Sequence, residues 1–161
     1  MGDLMIRRVE PRDVDAVVQL VHELALYERA PEQCHLTSEQ LHVALFGESP
    51  ALFGHVAEVD GQVVGIALWF LNFSTWDGVH GIYLEDLYVT PDQRGNGLGK
   101  KLLETLAQEC VDKGYTRLQW WVLNWNEPSI GFYKSLGAVP MDEWTVMRVA
   151  EEALQKLGSA L

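Results

Sequence analysis

The sequence has few basic residues for its size: twelve Lys and Arg against 23 Asp and Glu in 161 residues, a net charge of −11. Nucleic-acid and anionic-membrane binding depend on cationic side chains, so this deficit argues against both partners. No apolar run approaches the roughly 18 residues that a membrane span needs, and the first residues lack the apolar core of a secretory signal. We therefore expect a cytoplasmic location. The surplus of carboxylates suits small cationic partners, although it is equally compatible with solubility alone.

Cysteine is also scarce, and the common metal motifs are missing. Cys34 and Cys110 are far apart, with no CxxC pair, and the five histidines show no HExxH or HxxxH spacing. We therefore predict no bound metal. Cys110 falls on a helical stripe with Leu103 and Leu106, so we expect a buried thiol.

Periodicity and turn signals predict one α/β (α+β) domain over residues 1–161. Alternating apolar residues indicate strands and apolar residues at helical spacing indicate helices, in the order β-α-α-β-β-β-α-β-α-β. Hairpins followed by helical crossovers imply a mixed, mostly antiparallel, twisted sheet of about six to seven strands flanked by helices. The predicted strands are 4–9, 52–59, 63–70, 81–89, 116–122 and 144–149, with a loop over 72–78; the predicted helices are 13–27, 38–45, 98–113, 126–137 and 150–158.

The stretch QRGNGLGKK, residues 93–101, is the most informative part of the chain. It lies between a predicted strand and a predicted helix. Glycines let a backbone take positive φ and approach a ligand closely, and a helix N-terminus offers unpaired N–H groups. With Arg94, Lys100 and Lys101 nearby, the pattern predicts a site for a diphosphate.

Two common phosphate motifs do not fit this stretch. A P-loop requires GxxxxGK followed by Ser or Thr, but Lys101 stands where the magnesium-binding hydroxyl belongs. The dinucleotide fingerprint GxGxxG fails because the third glycine, Gly99, comes one residue too early. The ligand is therefore expected to be neither a hydrolysed nucleoside triphosphate nor a dinucleotide.

The segment from Arg94 to Gly99 resembles the [QR]xxGx[GA] motif of the GNAT acyltransferases. Residues 83–89 (YLEDLYV) and 126–134 (NEPSIGFYK) resemble diamine acetyltransferases, as do ELALYE at 23–28 and Leu36-Thr37. Residues 74–76 (STW) and 122–126 (VLNWN) resemble the thialysine N-epsilon-acetyltransferase branch more than the spermidine branch. The resemblance extends over essentially the whole chain. It implies the GNAT fold and acetyl-CoA as the acetyl donor.

The resemblance also implies where the donor binds. Its diphosphate would lie on the backbone of residues 94–99 and its pantetheine arm beside the strand 87–89, with Asn126 lining the path. The implied donor-binding residues are Leu87, Tyr88, Val89, Arg94, Gly95, Asn96, Gly97, Leu98, Gly99, Lys100, Asn126 and Tyr133.

Amine acetylation requires a proton to leave the ammonium and another to reach the departing thiolate. Glu85 and Asp86 lie inside an apolar strand, where alternation predicts opposite faces, and an unpartnered buried carboxylate is costly. By resemblance, Glu85 is the base, acting through water, and Tyr133 protonates the sulfur. Without the resemblance, structural roles would be favoured for all three, with the carboxylates in ion pairs and Tyr133 in packing. The implied acceptor-binding residues are Tyr27, Glu28, Trp76, Glu85 and Asp86.

Three interpretations follow for the activity. The first is an acetyl-CoA:amine N-acetyltransferase acting on a diamine, a polyamine or a thialysine-like or lysine-like amino acid. The second is a GNAT enzyme that acts on a peptide or another amine, because departures from the spermidine pattern near Asp60 and before Glu85 leave the identity of the acceptor amine undetermined. The third is a non-catalytic acyl-CoA-binding module, against which the intact Glu85 and Tyr133 argue. The resemblance further implies a homodimer.

Overall fold

The structure is a computed structural model that describes residues 2–161. Its backbone contacts divide the chain into two compact units, one ending at Leu123 and the other comprising Asn124–Leu161. The first unit contains all the paired strands within residues 2–161. Its elements are β1 (Leu4–Arg8), α1 (Val14–Tyr27), α2 (Ser38–Phe46), β2 (Phe53–Val59), β3 (Gln62–Ser74), β4 (Val79–Val89), α3 (Leu98–Lys113) and β5 (Leu118–Trp120).

The five strands form one sheet in the order β1-β2-β3-β4-β5. The first four pair antiparallel, and β5 pairs parallel to β4 after the crossover through α3. This confirms the mixed, mostly antiparallel sheet, although with fewer strands than predicted. The hairpin between β2 and β3 turns at Asp60 and Gly61, whose φ values of 49° and 82° suit the tight turn that the sequence indicates.

Apolar packing covers both faces of the sheet. On one face, α1 and α2 bury Val17, Leu20 and Leu41 against Ile66 and Leu68. Trp69, next to Leu68 in β3, points to the other face because side chains alternate along a strand. There Arg8 lies over Trp69 and also pairs with Glu109 of α3, at 2.8 Å. The sheet is therefore sandwiched between α1 and α2 on one side and α3 on the other.

Three of the predicted strands differ from the observed ones by more than two residues or are not observed. Residues 72–74, expected in a loop, belong to β3, because they pair with residues 79–81 at the start of β4. The strand expected over 116–122 shortens to β5, since only three of its residues pair with β4. The predicted strand Trp144–Val149 is wrong: alternating apolar residues permit a strand, but within residues 2–161 this segment forms no strand pairing.

The second unit contains α4 (Glu127–Ser135) and α5 (Glu151–Gly158). Both helices confirm the sequence pattern, and Pro128 occupies the first turn of α4, where a missing N–H costs nothing. Asn126, immediately before α4, is buried at 8% exposure, whereas Trp144 and Met147 are exposed. That the whole chain is one domain stays a prediction.

Candidate active site

The glycine-rich loop between β4 and α3 ends in an uncapped helix N-terminus. Gly95 and Gly97 have φ values of 86° and 76°, in the left-handed region that favours glycine. The first amide to bond back into α3 is that of Lys101, which donates to the carbonyl of Gly97 at 3.0 Å. No side chain among residues 2–161 caps this end. The amides of the first turn are therefore available to an anion.

Neither the backbone conformation nor the packing around Gly99 requires a glycine at this position. Gly99 lies in the first turn of α3, and its φ is outside the left-handed region. A Cβ built on Gly99 would meet no atom within 4 Å among residues 2–161. Alanine there would favour the helix by up to about 1 kcal/mol. A glycine that is kept in open space at a helix N-terminus is typical of a backbone that a ligand approaches closely.

The edge of β4 opens immediately before the loop. The parallel pairing with β5 joins Ile82, Tyr83 and Leu84 to residues 118–120 and ends there. On that side, residues 85–89 have no strand partner within residues 2–161, so this edge can bond an extended ligand arm, although the carbonyl of Val89 already accepts a hydrogen bond from Nε of Arg94. The resemblance implies that the pantetheine arm lies beside residues 87–89 of this strand, and that role stays a prediction.

A β-bulge lies at the predicted catalytic carboxylate. Leu68 pairs with Asp86 and the next residue, Trp69, pairs with Leu84, so Glu85 is the extra residue opposite β3. The bulge interrupts the strict alternation from which we expected Glu85 and Asp86 to lie on opposite faces. Paired side chains share a face, and Leu68 packs against α1 and α2, so Asp86 is directed toward the helix that ends at Tyr27.

Two carboxyl groups near this end of α1, Asp86 and Glu28, have raised pKa values. Burial and, to a smaller extent, the negative charges of Glu85 and Glu28 raise the pKa of Asp86 to about 7. The pKa of Glu28 is raised by partial burial and by Glu85. Asp86 is half-buried, whereas the side chain of Glu85 is exposed. The three are neighbouring carboxyl groups whose negative charge a cationic amine would neutralise.

Arg94 connects the glycine loop to the same region. Its guanidinium lies 5.4 Å from the ring centroid of Tyr27 and 5.3 Å from that of Tyr88. Its Nε donates to the carbonyl of Val89 at 3.0 Å. Burial is the largest cause of the raised pKa of Tyr88. The structure thus brings together Arg94, Tyr88 and Tyr27, which the sequence assigned separately to donor and acceptor.

Other predicted site residues are distributed as follows. Leu98 is buried at the start of α3, and Asn96 and Lys100 are exposed on the loop and the first helical turn. Trp76 lies in the turn between β3 and β4 and is 89% exposed, so it is not packed against the carboxyl group cluster. Asn126 and Tyr133 belong to the second unit, and their roles at the site stay predictions.

Sequence reasoning missed two features of the site. The bulge at Glu85 depends on the register with β3, although two adjacent carboxylates in an apolar strand were a signal of it. The contact between Tyr27 and Arg94 joins residues 67 positions apart and has no local sequence signal. Within residues 2–161, no helix has the length and apolar character to cross a membrane, and no three side chains are grouped as metal ligands.

Comparison with known proteins gives the same family. The profile of the acetyltransferase (GNAT) family matches residues 18–138. A thialysine N-epsilon-acetyltransferase from Bos taurus is 38% identical over 98% of both chains. An integron cassette protein from V. cholerae superposes with a TM-score of 0.83 at 26% identity, covering 99% of this chain and 100% of the other. A Clostridium acetobutylicum protein, described as a predicted acetyltransferase crystallised with acetyl-CoA, shares the fold with a TM-score of 0.72 at 18% identity, over 91% and 97% of the two chains.

The family match spans most of the chain and includes β4, the glycine loop and α3. The bovine relative is aligned almost from end to end at an identity that indicates common descent. Together with the uncapped helix and the opened strand edge, these similarities identify the chain as a member of the GNAT acetyltransferase family.

Proposed function

We propose that this chain transfers the acetyl group of acetyl-CoA directly to a primary amine of a small cationic acceptor, with both substrates bound at once. The acceptor is a diamine or polyamine, or a thialysine-like or lysine-like amino acid. The observation that carries the proposal is the uncapped N-terminus of α3, with Gly99 left open beside it. The substrate of the bovine relative and the carboxyl cluster support the choice of a cationic amine.

Donor binding uses backbone groups of the first unit. The amides of residues 94–99 receive the diphosphate, with Arg94 and Lys100 adding positive charge. The free edge at Leu87, Tyr88 and Val89 bonds the pantetheine arm, and Asn126 lines its path. Bound in this way, acetyl-CoA supplies an activated thioester near Glu85. The residues proposed to hold the donor are Leu87, Tyr88, Val89, Arg94, Gly95, Asn96, Gly97, Leu98, Gly99, Lys100, Asn126 and Tyr133.

The acceptor needs a cation site and a route for its proton. Asp86 and Glu28 attract the ammonium, and Tyr27 forms a wall of the site. Trp76 is assigned to the acceptor by the resemblance alone, since its side chain is exposed in the turn between β3 and β4. Glu85 takes the proton through water, which gives the nitrogen its lone pair for attack. Its exposure is consistent with a role that passes through solvent. Tyr133 gives a proton to the departing sulfur. Because the amine attacks the thioester directly, no covalent bond to the protein is needed.

Gly99→Val tests the observation that carries the proposal, and Gly99→Ala is its matched control because the motif permits alanine at this position. The methyl group of Gly99→Ala should stabilise α3, raising the free energy of unfolding by up to about 1 kcal/mol, and should leave coenzyme A binding nearly unchanged. The larger side chain of Gly99→Val should weaken coenzyme A binding in isothermal titration calorimetry, because it lies where the diphosphate approaches. Undiminished affinity in Gly99→Val would show that no ligand approaches this backbone.

A thiol-release assay tests the reaction itself. Acetyl-CoA is mixed with the protein and, one at a time, spermidine, putrescine, lysine and thialysine, and free coenzyme A is followed. We expect release that depends on at least one amine. Binding of acetyl-CoA without release for any amine would instead indicate a non-catalytic acyl-CoA-binding module, or a GNAT enzyme for a peptide or another acceptor.

We also propose that the protein is a homodimer and acts in the cytoplasm, with neither nucleic acid nor membrane as a partner. The net charge of −11 supports the choice of a cationic small molecule over these polyanions. Analytical ultracentrifugation tests the dimer: a sedimentation coefficient of a monomer at micromolar concentration would reject it.

A further inference from the structure

The guanidinium of Arg94 lies against two aromatic rings from different parts of the first unit. Tyr88 belongs to β4 and is 7% exposed, so it is a fixed platform in the core. Tyr27 is the last residue of α1 and is 40% exposed. Both ring centroids are within 5.4 Å of the guanidinium carbon, inside the range of a cation–π contact.

Arg94 and Tyr27 lie next to different parts of the proposed site. Arg94 begins the glycine loop and is bonded through Nε to Val89, at the edge proposed for the donor arm. Tyr27 directly precedes Glu28, whose carboxyl group is close enough to Glu85 to be influenced by its charge. The Tyr27–Arg94 contact is therefore a physical connection between the donor side and the acceptor side.

A stacked arginine can bind an anion at the same time. Cation–π contact uses the flat face of the guanidinium, whereas hydrogen bonds to phosphate use its N–H edge. A diphosphate on the glycine loop would therefore hold Arg94 in place without displacing Tyr27.

We propose that Tyr27 is a positioning residue which, through its contact with Arg94, couples acetyl-CoA binding to amine binding, so that each ligand strengthens the binding of the other. This inference rests on the proposed function. The physical basis is a shared ordering cost. The loop contains Gly95 and Gly97, whose backbones lose much freedom when fixed, and whichever ligand binds first orders the contact for both. Such coupling is reciprocal by thermodynamic necessity.

The test measures coenzyme A binding by calorimetry with and without a saturating amine, because coenzyme A and an amine form a ternary complex that cannot react. The amine is whichever of thialysine and spermidine the wild-type protein acetylates. The ratio of the two dissociation constants is the coupling factor. The variants are Tyr27→Leu, which removes the ring, and Tyr27→Phe, which keeps it. Leu26→Ala is the matched control, because Leu26 is the neighbouring residue on α1 and is 65% exposed.

We expect the amine to tighten coenzyme A binding in the wild-type protein. The coupling factor should fall by about two- to five-fold in Tyr27→Leu, which corresponds to the loss of one exposed cation–π contact. It should be retained in Tyr27→Phe and Leu26→Ala. Direct attraction between the cationic amine and the anionic coenzyme remains in all variants, so only the difference between Leu and Phe reports the contact. Circular dichroism and thermal melting verify that Tyr27→Leu is folded.

Three results would overturn the inference. One is a wild-type coupling factor of one, and another is an unchanged factor in Tyr27→Leu. The third is an equal loss in Tyr27→Phe, which would mean that the Tyr27 hydroxyl contacts the amine directly. Each of these leaves the proposed function standing if the wild-type protein binds coenzyme A and releases thiol. Absence of coenzyme A binding in the wild-type protein would instead reject the proposed function together with the inference.

Discussion

Acid should unfold this protein partly through a single histidine. His55 lies on β2 with 4% of its surface exposed, and its Nδ1 accepts a hydrogen bond from Nε1 of Trp69 at 3.1 Å. Burial and, to a smaller extent, the positive charge of Arg8 lower the pKa of His55 to about 4, against an opposing effect of Glu109. Protonation would place a charge in the core and remove the acceptor for the indole N–H.

The pH window follows from this direction of the shift. Above about 6.5, the ordinary pKa of histidine, His55 is neutral in both the folded and the unfolded chain, and its contribution to stability is complete. As the pH falls from 6.5 toward 4, the unfolded chain gains the proton and the folded protein does not, so stability declines. The difference of the two pKa values corresponds to about 3 kcal/mol. That is a large part of the 5–15 kcal/mol typical of a domain.

Urea denaturation at a series of pH values between 7.5 and 4 measures this pH-dependent contribution of His55 to the free energy of unfolding. The perturbation is His55→Gln, in which an amide oxygen can still accept from Trp69 but nothing titrates. We expect the variant to be less stable at pH 7.5, since the packing is altered, and to lose about 3 kcal/mol less than the wild type on going to pH 4. Carboxylate pairs such as Arg7–Asp13, at 2.7 Å, titrate in both proteins and cancel in the comparison.

His80→Gln is the matched control, because His80 is an exposed histidine on β4. Its stability should follow the wild-type pH curve. Parallel curves for the wild type and His55→Gln would refute the reasoning, because they would mean that the buried imidazole takes up its proton as easily as it does in the unfolded chain.

Three further predictions concern the site. Asp86→Asn should raise the KM for the amine and abolish the fall of KM between pH 6 and pH 8, since a carboxyl group with a pKa near 7 becomes negative over that interval. The same variant should have a higher Tm at pH 8, because the folded wild-type protein disfavours a negative charge that the unfolded chain carries freely. This increase in Tm should shrink toward pH 4. A wild-type slope of KM with pH in the variant would contradict this role. Tyr133→Phe should lower kcat by about 10²- to 10⁴-fold while the calorimetric affinity for coenzyme A stays within about two-fold, and undiminished turnover would remove Tyr133 from the reaction. Gly97→Ala should lower the free energy of unfolding by about 1–2 kcal/mol, because its φ of 76° disfavours a Cβ although nothing lies within 4 Å of one. Equal stability of Gly97→Ala and Gly99→Ala in urea denaturation would show that this backbone relaxes freely.

Features with a local cause could be predicted from the sequence. Gly114 ends α3 in the left-handed conformation, and Asp60-Gly61 closes a hairpin, because these residues have intrinsic preferences that need no distant partner. The helix after the glycine loop likewise begins where its apolar spacing begins. Cys110 is buried, as its position on the stripe of α3 predicts.

Features that depend on distant partners could not be predicted. The segment Trp144–Val149 has the composition of a strand, but pairing within residues 2–161 decides whether a strand forms, and it has none there. The bulge at Glu85 is set by the register with Leu68 and Trp69. The roles of Glu85 and Tyr133 came from resemblance rather than from physical reasoning, since a carboxylate in a strand and a tyrosine on a helix have common structural explanations.

The opening between β4 and β5 has a practical consequence for handling the protein. Exposed edges of strands attract extended segments of other polypeptides, and this is a usual beginning of aggregation. Residues 85–89 offer such an edge, which the arm of the proposed donor would fill. Purified stocks should therefore precipitate more slowly when stored with coenzyme A, so that the donor acts as a preservative as well as a reactant.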